Sequence, residues 1–304
     1  FALFTVCAAF GIGNMTQANS AAAVLDEVFG LADWLTGGIL MILTGLVLIG
    51  GIRTIGRFTS MLVPVMIVIY MGTAFLVIGL NIDEVPGAFG LIFWHAFNPI
   101  AAGGGFAGAA VAAAIRYGVA RGVFSNESGL GSAPIAAAAA RTSDPVKQAL
   151  VSMTQTFIDT LVVCTATALV ILTSDVWRDG VSAGILTSLS FADTLGPPGT
   201  IIVAVATALF AFSTLIGWSY YGEKAIEYLI SERAILVFRI IFVAVVMVGA
   251  TRELSFVWNF SDLMNGLMAI PNLIGILLLS KVVKEESQRY FSTGLKATRT
   301  DMPL

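Results

Sequence analysis

Long stretches of this chain carry no charge. Asp26 is the first Asp, Glu, Lys or Arg, and none of these occurs between Asp33 and Arg53, Arg57 and Asp83, Glu84 and Arg116, or Asp193 and Glu223. A helix needs about 20 mainly apolar residues to cross the hydrocarbon of a bilayer, and several of these stretches are long enough. Only 12% of the 304 residues are charged and 57% are hydrophobic, and the mean hydropathy is +0.91. Soluble domains carry roughly 25% charge, so this chain lacks the polar surface to cover a globule in water. The expected fold class is an all-α polytopic membrane protein, because lipid leaves every backbone group to be satisfied within the chain.

The same counts exclude several functions. The net charge is −3, and no basic run interleaved with aromatics suggests a nucleic-acid partner. Cys7 and Cys164 lie deep in separate apolar segments and read as small core residues, not as a disulfide or metal pair. The lone histidine, His95, has no clustered partners and reads as a surface or packing residue. Ser125, Ser128 and Ser132 have no His or Lys base at hand, so an intramembrane enzyme is not expected, nor is a cofactor. The chain opens with Phe1 directly inside an apolar helix, without the charged region or cleavage site of a signal peptide. That opening reads as a chain whose N-terminal part is missing.

Hydropathy predicts eight membrane segments, at 1–25, 36–51, 59–80, 106–140, 147–172, 199–222, 234–250 and 256–280. A re-entrant or interfacial stretch is expected at 86–98, between Pro86 and Pro99, and an outer loop with a short helix at 173–197. Lys and Arg favour cytoplasmic loops. Placing Arg53, Arg57, Arg141, Lys147, Lys224 and Arg233 inside leaves only Arg178 and Arg252 outside. Both ends of the chain are then cytoplasmic, with a transporter-like core over 1–280 and a basic tail over 281–304. The expected location is a bacterial or archaeal inner membrane.

The segment RGVFSNESGLGSAPIAAAAA, 121–140, is the least compatible with an ordinary membrane helix. Its glycines and proline interrupt the hydrogen-bond ladder. Irregular backbone at membrane depth survives only inside protein or beside a watery cavity. Half-helix ends of this kind attract a carboxylate with freed N–H groups and a cation with freed carbonyls. The alternative is a plain cytoplasmic loop. In GIGNMTQ, Asn14 and Gln17 share a helix face one turn apart. Both amides are candidates for a ligand or for bonds between helices. Ser213 and Thr214 offer adjacent hydroxyls of the kind a small cation needs, and Trp218 one turn later could wall a pocket; ordinary packing is the alternative. Asp159 is an intramembrane carboxylate, and such groups are functional candidates by default. Its alternative is a structural pair with Arg121.

At these residues the chain resembles the alanine or glycine:cation symporters, also called sodium:alanine symporters. The resembling stretches are GIGNMTQANSAA, PGAFGLIF, GGFAGA, AIRYGVARGVFSNESGLGSAPIA, FIDTLVVCTATALVIL, FAFSTLIGWSYYGEKAIEYL and LMNGLMAIPNLI, which reach from near the first residue to about 280. The resemblance implies a LeuT-type five-plus-five inverted repeat. This chain would begin at the third core helix, and the broken sixth would lie at 106–140. It implies that Gln17, the 124–131 break with Phe124, Asn126, Gly129 and Gly131, and Trp218 line a pocket for a small neutral amino acid. It further implies that Ser213 and Thr214 bind sodium as the coupling ion, with Asn14 and Asp159 either ion-related or structural. On this reading the chain alone lacks half of its pocket, and symport belongs to the longer protein. An amino-acid sensor or a proton-coupled transporter of the same fold is the alternative function.

Overall fold

In the computed structural model, residues 1–97 and 105–297 are described, apart from the side chains of 52, 53, 105–111, 183 and 293–297. Within these residues the secondary structure is helical, with no strand. The first segment is one irregular helix: α1 (Ala2–Phe10), a π-helical turn at Gly11–Met15, and α2 (Thr16–Phe29). Gly30, in the left-handed region at φ 66°, ends it. Next come α3 (Asp33–Ile49), α4 (Gly51–Leu80) and α5 (Val85–Phe97). α6 (Gly105–Asn126) and the five-residue α7 (Ala133–Ala137) flank a break. α8 (Pro145–Thr156), a π-helical stretch at Phe157–Cys164, and α9 (Thr165–Thr173) form one long rod. α10 (Ala183–Leu195), α11 (Pro197–Leu229), α12 (Ala234–Thr251) and α13 (Leu254–Ala297) complete the chain.

Among the described residues, five helical runs are long and apolar enough to cross a membrane: Thr54–Leu80, Pro145–Thr173, Pro197–Leu229, Ala234–Thr251 and Leu254–Ser292. This is a multi-pass membrane architecture. The expected segment at 36–51 is present as the shorter apolar helix Asp33–Ile49. The first segment is helical over its whole length but dilutes its apolar face with Asn14, Thr16, Gln17 and Asn19.

Local chemistry explains the helix ends. Asp144 caps α8 by accepting from the backbone N–H groups of Val146 and Lys147, with Pro145 in the first turn where its missing N–H costs nothing. Pro197 opens α11 in the same manner. Two boundaries depart from the sequence reading. The loop expected around Arg53 and Arg57 is already helix, because Gly51, at φ 63°, makes the whole turn and α4 starts there. α13 also runs on past 280 to Ala297, sustained by pairs such as Lys281–Glu285 at i,i+4. Residue 98 of the expected interfacial stretch and residues 298–304 of the tail lie outside the described residues.

α11 is the central element, packed on α1, α2, α4, α10 and α12. Of its most apolar stretch 44% is buried, against 6% for α13. One apolar cluster joins Ala8, Ile12 and Ala18 of the first segment to Leu215, Ile216 and Trp218 of α11 and to Phe242 and Val246 of α12. A second joins Tyr70 and Val77 of α4, Val170 of α9, Phe191 of α10 and Val203 of α11. In lipid, helices gain little hydrophobic energy from meeting, so close backbone approach matters more. The approach is closest where the first segment meets α11 and α12. A Cβ on Gly13 would sit 2.1 Å from the Cβ of Trp218, and one on Gly249 would sit 2.5 Å from the Cα of Met15.

Candidate functional site

The break between α6 and α7 is built from short-range polar contacts. Asn126 ends α6, and its Oδ1 accepts from the backbone N–H of Ser128 at 2.9 Å. Its Nδ2 donates to Thr160 Oγ1 at 2.9 Å. Glu127, Gly129 and Gly131 then adopt φ of 56°, 79° and 86°. Glycine accepts such backbone freely, whereas at Glu127 it costs on the order of 1–2 kcal/mol. Ser132, fully buried, donates its hydroxyl to Glu127 Oε2. Asn272 of α13 donates to the freed carbonyl of Gly129 at 2.9 Å. The backbone is irregular here, yet side chains from two other elements hold it.

A cavity of about 670 Å³ opens beside the break. The break supplies Asn126, Glu127, Ser128, Gly129 and Gly131; α8 supplies Gln148, Ser152 and Thr156; α13 supplies Asn272 and Ile276. Gln148, Ser152 and Thr156 recur every four residues and so present one polar face. Backbone carbonyls, amides and hydroxyls converge here with two carboxylates, Glu127 of the break and Asp144, which caps α8. That mixture suits a small zwitterion or a cation, not a bulky apolar ligand.

The other expected site residues divide around this cavity. Phe124 and Leu130 pack in the same apolar cluster as Trp218, and Trp218 is 2% exposed. The Trp218 indole lies beside the Glu127 carboxyl, so α11 closes the break from the inner side. Gln17 is half-buried and donates to the carbonyl of Ile12 at 3.0 Å, in the π-helical turn just before α2. Asn14 is fully buried and donates to the carbonyl of Phe242 at 2.6 Å, while its Oδ1 has no partner among the described residues. Ser213 donates to its own helix at the Phe210 carbonyl, 2.8 Å away, and Thr214 beside it is half-buried. Gln17, Phe124, Ser213, Thr214 and Trp218 are not among the residues lining the cavity, whereas Asn126, Gly129 and Gly131 are.

Asp159 is placed differently from one of its two readings. No pair forms with Arg121. Ser125 Oγ donates to both Asp159 carboxylate oxygens, at 2.9 and 3.0 Å, and Thr160 adds a third contact. Arg121 pairs instead with Asp262 of α13 and stacks 4.1 Å above the Trp258 ring. A guanidinium that finds both a carboxylate and an aromatic face on one helix gains more there than from a carboxylate already satisfied by hydroxyls.

Residues 1–302 match the sodium:alanine symporter family. The chain belongs to this family. Among its relatives are the sodium/alanine symporter AgcS of Methanococcus maripaludis, 51% identical over 294 residues, and the probable sodium/glutamine symporter GlnT of Bacillus subtilis, 42% identical over 287. A sodium/proton-dependent alanine carrier protein of Bacillus sp. strain PS3 is 35% identical over 284 residues. These alignments take in 95%, 93% and 87% of this chain but 64%, 59% and 63% of the relatives, so the chain spans less than two thirds of their length. The family is one of transporters, not of enzymes.

Sequence reasoning named the break but not Glu127 as a site residue. The missed signal was a carboxylate inside an uncharged Ser, Asn and Gly run, with no basic residue within five positions on either side.

Proposed function

We propose that this protein couples sodium entry to uptake of a small neutral amino acid, alanine or glycine, by alternating access. Family membership and the likeness to the Methanococcus sodium/alanine symporter support that reading. The observation that carries it is the unwound segment 127–132, where left-handed backbone at Glu127, Gly129 and Gly131 frees polar groups beside a cavity. Broken helices of this form serve solute and ion binding in inverted-repeat transporters. We assign the chain to a LeuT-type fold, with a core over 1–280 and a basic cytoplasmic tail over 281–304.

In this reading the amino acid binds against the break, with Gln17, Phe124, Asn126, Gly129, Gly131 and Trp218 as its surroundings. Sodium binds at Ser213 and Thr214, and Asn14 and Asp159 support the ion or the fold. The lipid bilayer is the remaining partner, in a bacterial or archaeal inner membrane with both ends of the chain inside. One methylene in a pocket discriminates by only ~1–3 kcal/mol, so alanine and glycine compete for one site.

The test is uptake of radiolabelled alanine and glycine into proteoliposomes, with and without an inward sodium gradient. Saturable accumulation that needs sodium is expected, and Thr214→Ala should weaken its sodium dependence. Amino-acid binding without accumulation would make the protein a sensor. Accumulation driven by a proton gradient alone would favour the proton-coupled alternative, which the printed name of the PS3 relative keeps in view.

A further inference from the structure

Four carboxylates occupy the helical interior around the break and the central helix, and three have evident partners. Glu223 of α11 is held by Arg239 of α12 through two hydrogen bonds, at 2.6 and 2.8 Å. Asp262 is held by Arg121. Asp159 is held by Ser125 and Thr160. Glu127 differs: no lysine, arginine or histidine pairs with it among the described residues. Its neighbours are the Ser132 hydroxyl, the Trp218 indole, the Tyr221 phenol and, as a like charge, the Asp159 carboxylate. An unpaired carboxylate at membrane depth is costly, and the one hydroxyl of Ser132 does not compensate its whole charge. Glu127 also lines the cavity, so a cation can reach it. Its left-handed backbone ties its position to the state of the break.

We propose that Glu127 is an anionic site for a further cation, a sodium ion or a proton, within the helix break and apart from the sodium site assigned to Ser213 and Thr214. The inference rests on the symport reading for its role in transport, but not for the binding itself. A cation on Glu127 neutralises the one uncompensated charge of the break. The break can then move against α11 without dragging a bare carboxylate through a dry interface. Release of the cation into the cavity restores the charge and the Ser132 hydrogen bond to it.

The experiment uses the full-length protein and two readouts that need no amino acid. One is equilibrium binding of radioactive sodium. The other is tryptophan fluorescence followed between about pH 5 and pH 8, which reports on Trp218 beside the carboxyl. If the cation is sodium, Glu127→Gln should raise the half-saturating sodium concentration about tenfold or more, and Glu127→Asp should recover part of the loss. If it is a proton, Glu127→Gln should abolish the acid-dependent fluorescence change and leave sodium binding intact. Ser132→Ala keeps the carboxylate and removes one donor. It should shift the same response by a smaller factor, which keeps the test open if Glu127→Gln does not fold. Equal sodium affinity and equal acid response in wild type and folded Glu127→Gln overturn the proposal, as does a wild type with neither response. A cation response lost in Glu127→Gln, in a protein that accumulates no amino acid, leaves this site standing and removes the symport reading.

Discussion

Three segments depart from regular α-helix among the described long apolar runs, and two of them, the π-helical turn at Gly11–Met15 and the break at 127–132, do so in opposite ways. The π-helical turn at Gly11–Met15 is wholly buried, and its neighbouring amides are spent on other helices: Asn14 on the Phe242 carbonyl, Asn19 on those of Gly249 and Arg252. The break at 127–132 is held by side chains too, but its carboxylate, amide and hydroxyls line a cavity. Both segments are rich in glycine and polar residues, so composition alone would grade them alike. What separates them is where the polar groups end. In the first they staple α2 to α12, and in the second they remain available to a solute.

The largest effect expected from this contrast is at Gly13. Its missing side chain is filled by Trp218, 2.1 Å from where a Cβ would stand. Gly13→Val should cost about 3 kcal/mol or more, the upper end of overpacking penalties. It should show as a large fall in the thermal midpoint of the purified protein. A midpoint near wild type would mean that this interface yields, and the contrast between a rigid and an open region would break.

Gly131→Ala tests the other side. At φ 86°, with Asn272 Oδ1 2.6 Å from the position of a Cβ, an alanine is both strained and crowded. The cost is on the order of 2 kcal/mol. Stability should fall less than for Gly13→Val, while sodium-driven alanine uptake in proteoliposomes should fall at least as far. Uptake that tracks the thermal midpoint equally in both variants would erase the functional distinction.

The sequence made the break visible because glycine, proline and hydroxyl residues cannot be lipid-facing helix without reason. It made the start of α8 visible because Asp144-Pro145 is both cap and first turn. It did not reveal the π-helical segments, since an apolar pattern barely distinguishes one extra residue per turn. It did not reveal that α4 reaches back across Arg57 or that α13 reaches Ala297, because a turn at one glycine and surface ion pairs leave no hydropathy signal. Arg121 found Asp262 rather than Asp159 because partners 141 residues apart are set by tertiary packing alone. The uncharged run around Glu127 was a signal in the sequence, but that no Lys, Arg or His reaches it among the described residues is set by tertiary packing.

Asn19→Ala should have a smaller effect than either glycine. It removes two donated bonds to carbonyls at the end of α12, of 3.1 and 2.7 Å. Bonds between membrane helices contribute about 1 kcal/mol, because the separated helices find other partners. A fall of that size in stability measured by denaturant, with the sodium dependence of uptake unchanged, would fit a purely structural staple. A changed sodium dependence would move this segment from scaffold to site.

The smallest effect is expected at the tie between the two regions, the Arg121–Asp262 pair, and it sharpens the comparison most. The side chains are 35% and 33% exposed, so protein encloses the pair only in part. Exposed pairs contribute about 1 kcal/mol or less. Arg121→Gln should cost slightly more than Asp262→Asn, since only the arginine also lies over Trp258 and near Phe124, at 4.1 and 5.6 Å. A double-mutant cycle on thermal or denaturant stability isolates the pair itself. A coupling below about 1 kcal/mol would mean that α6 is lightly tethered to α13 just before the break, free to move relative to the packed α2–α12 staple. A coupling of about 3 kcal/mol or more would indicate a desolvated lock. The helix leading into the break would then be as firmly held as the π-helical segment, and the motion that alternating access requires would have to arise elsewhere in the molecule.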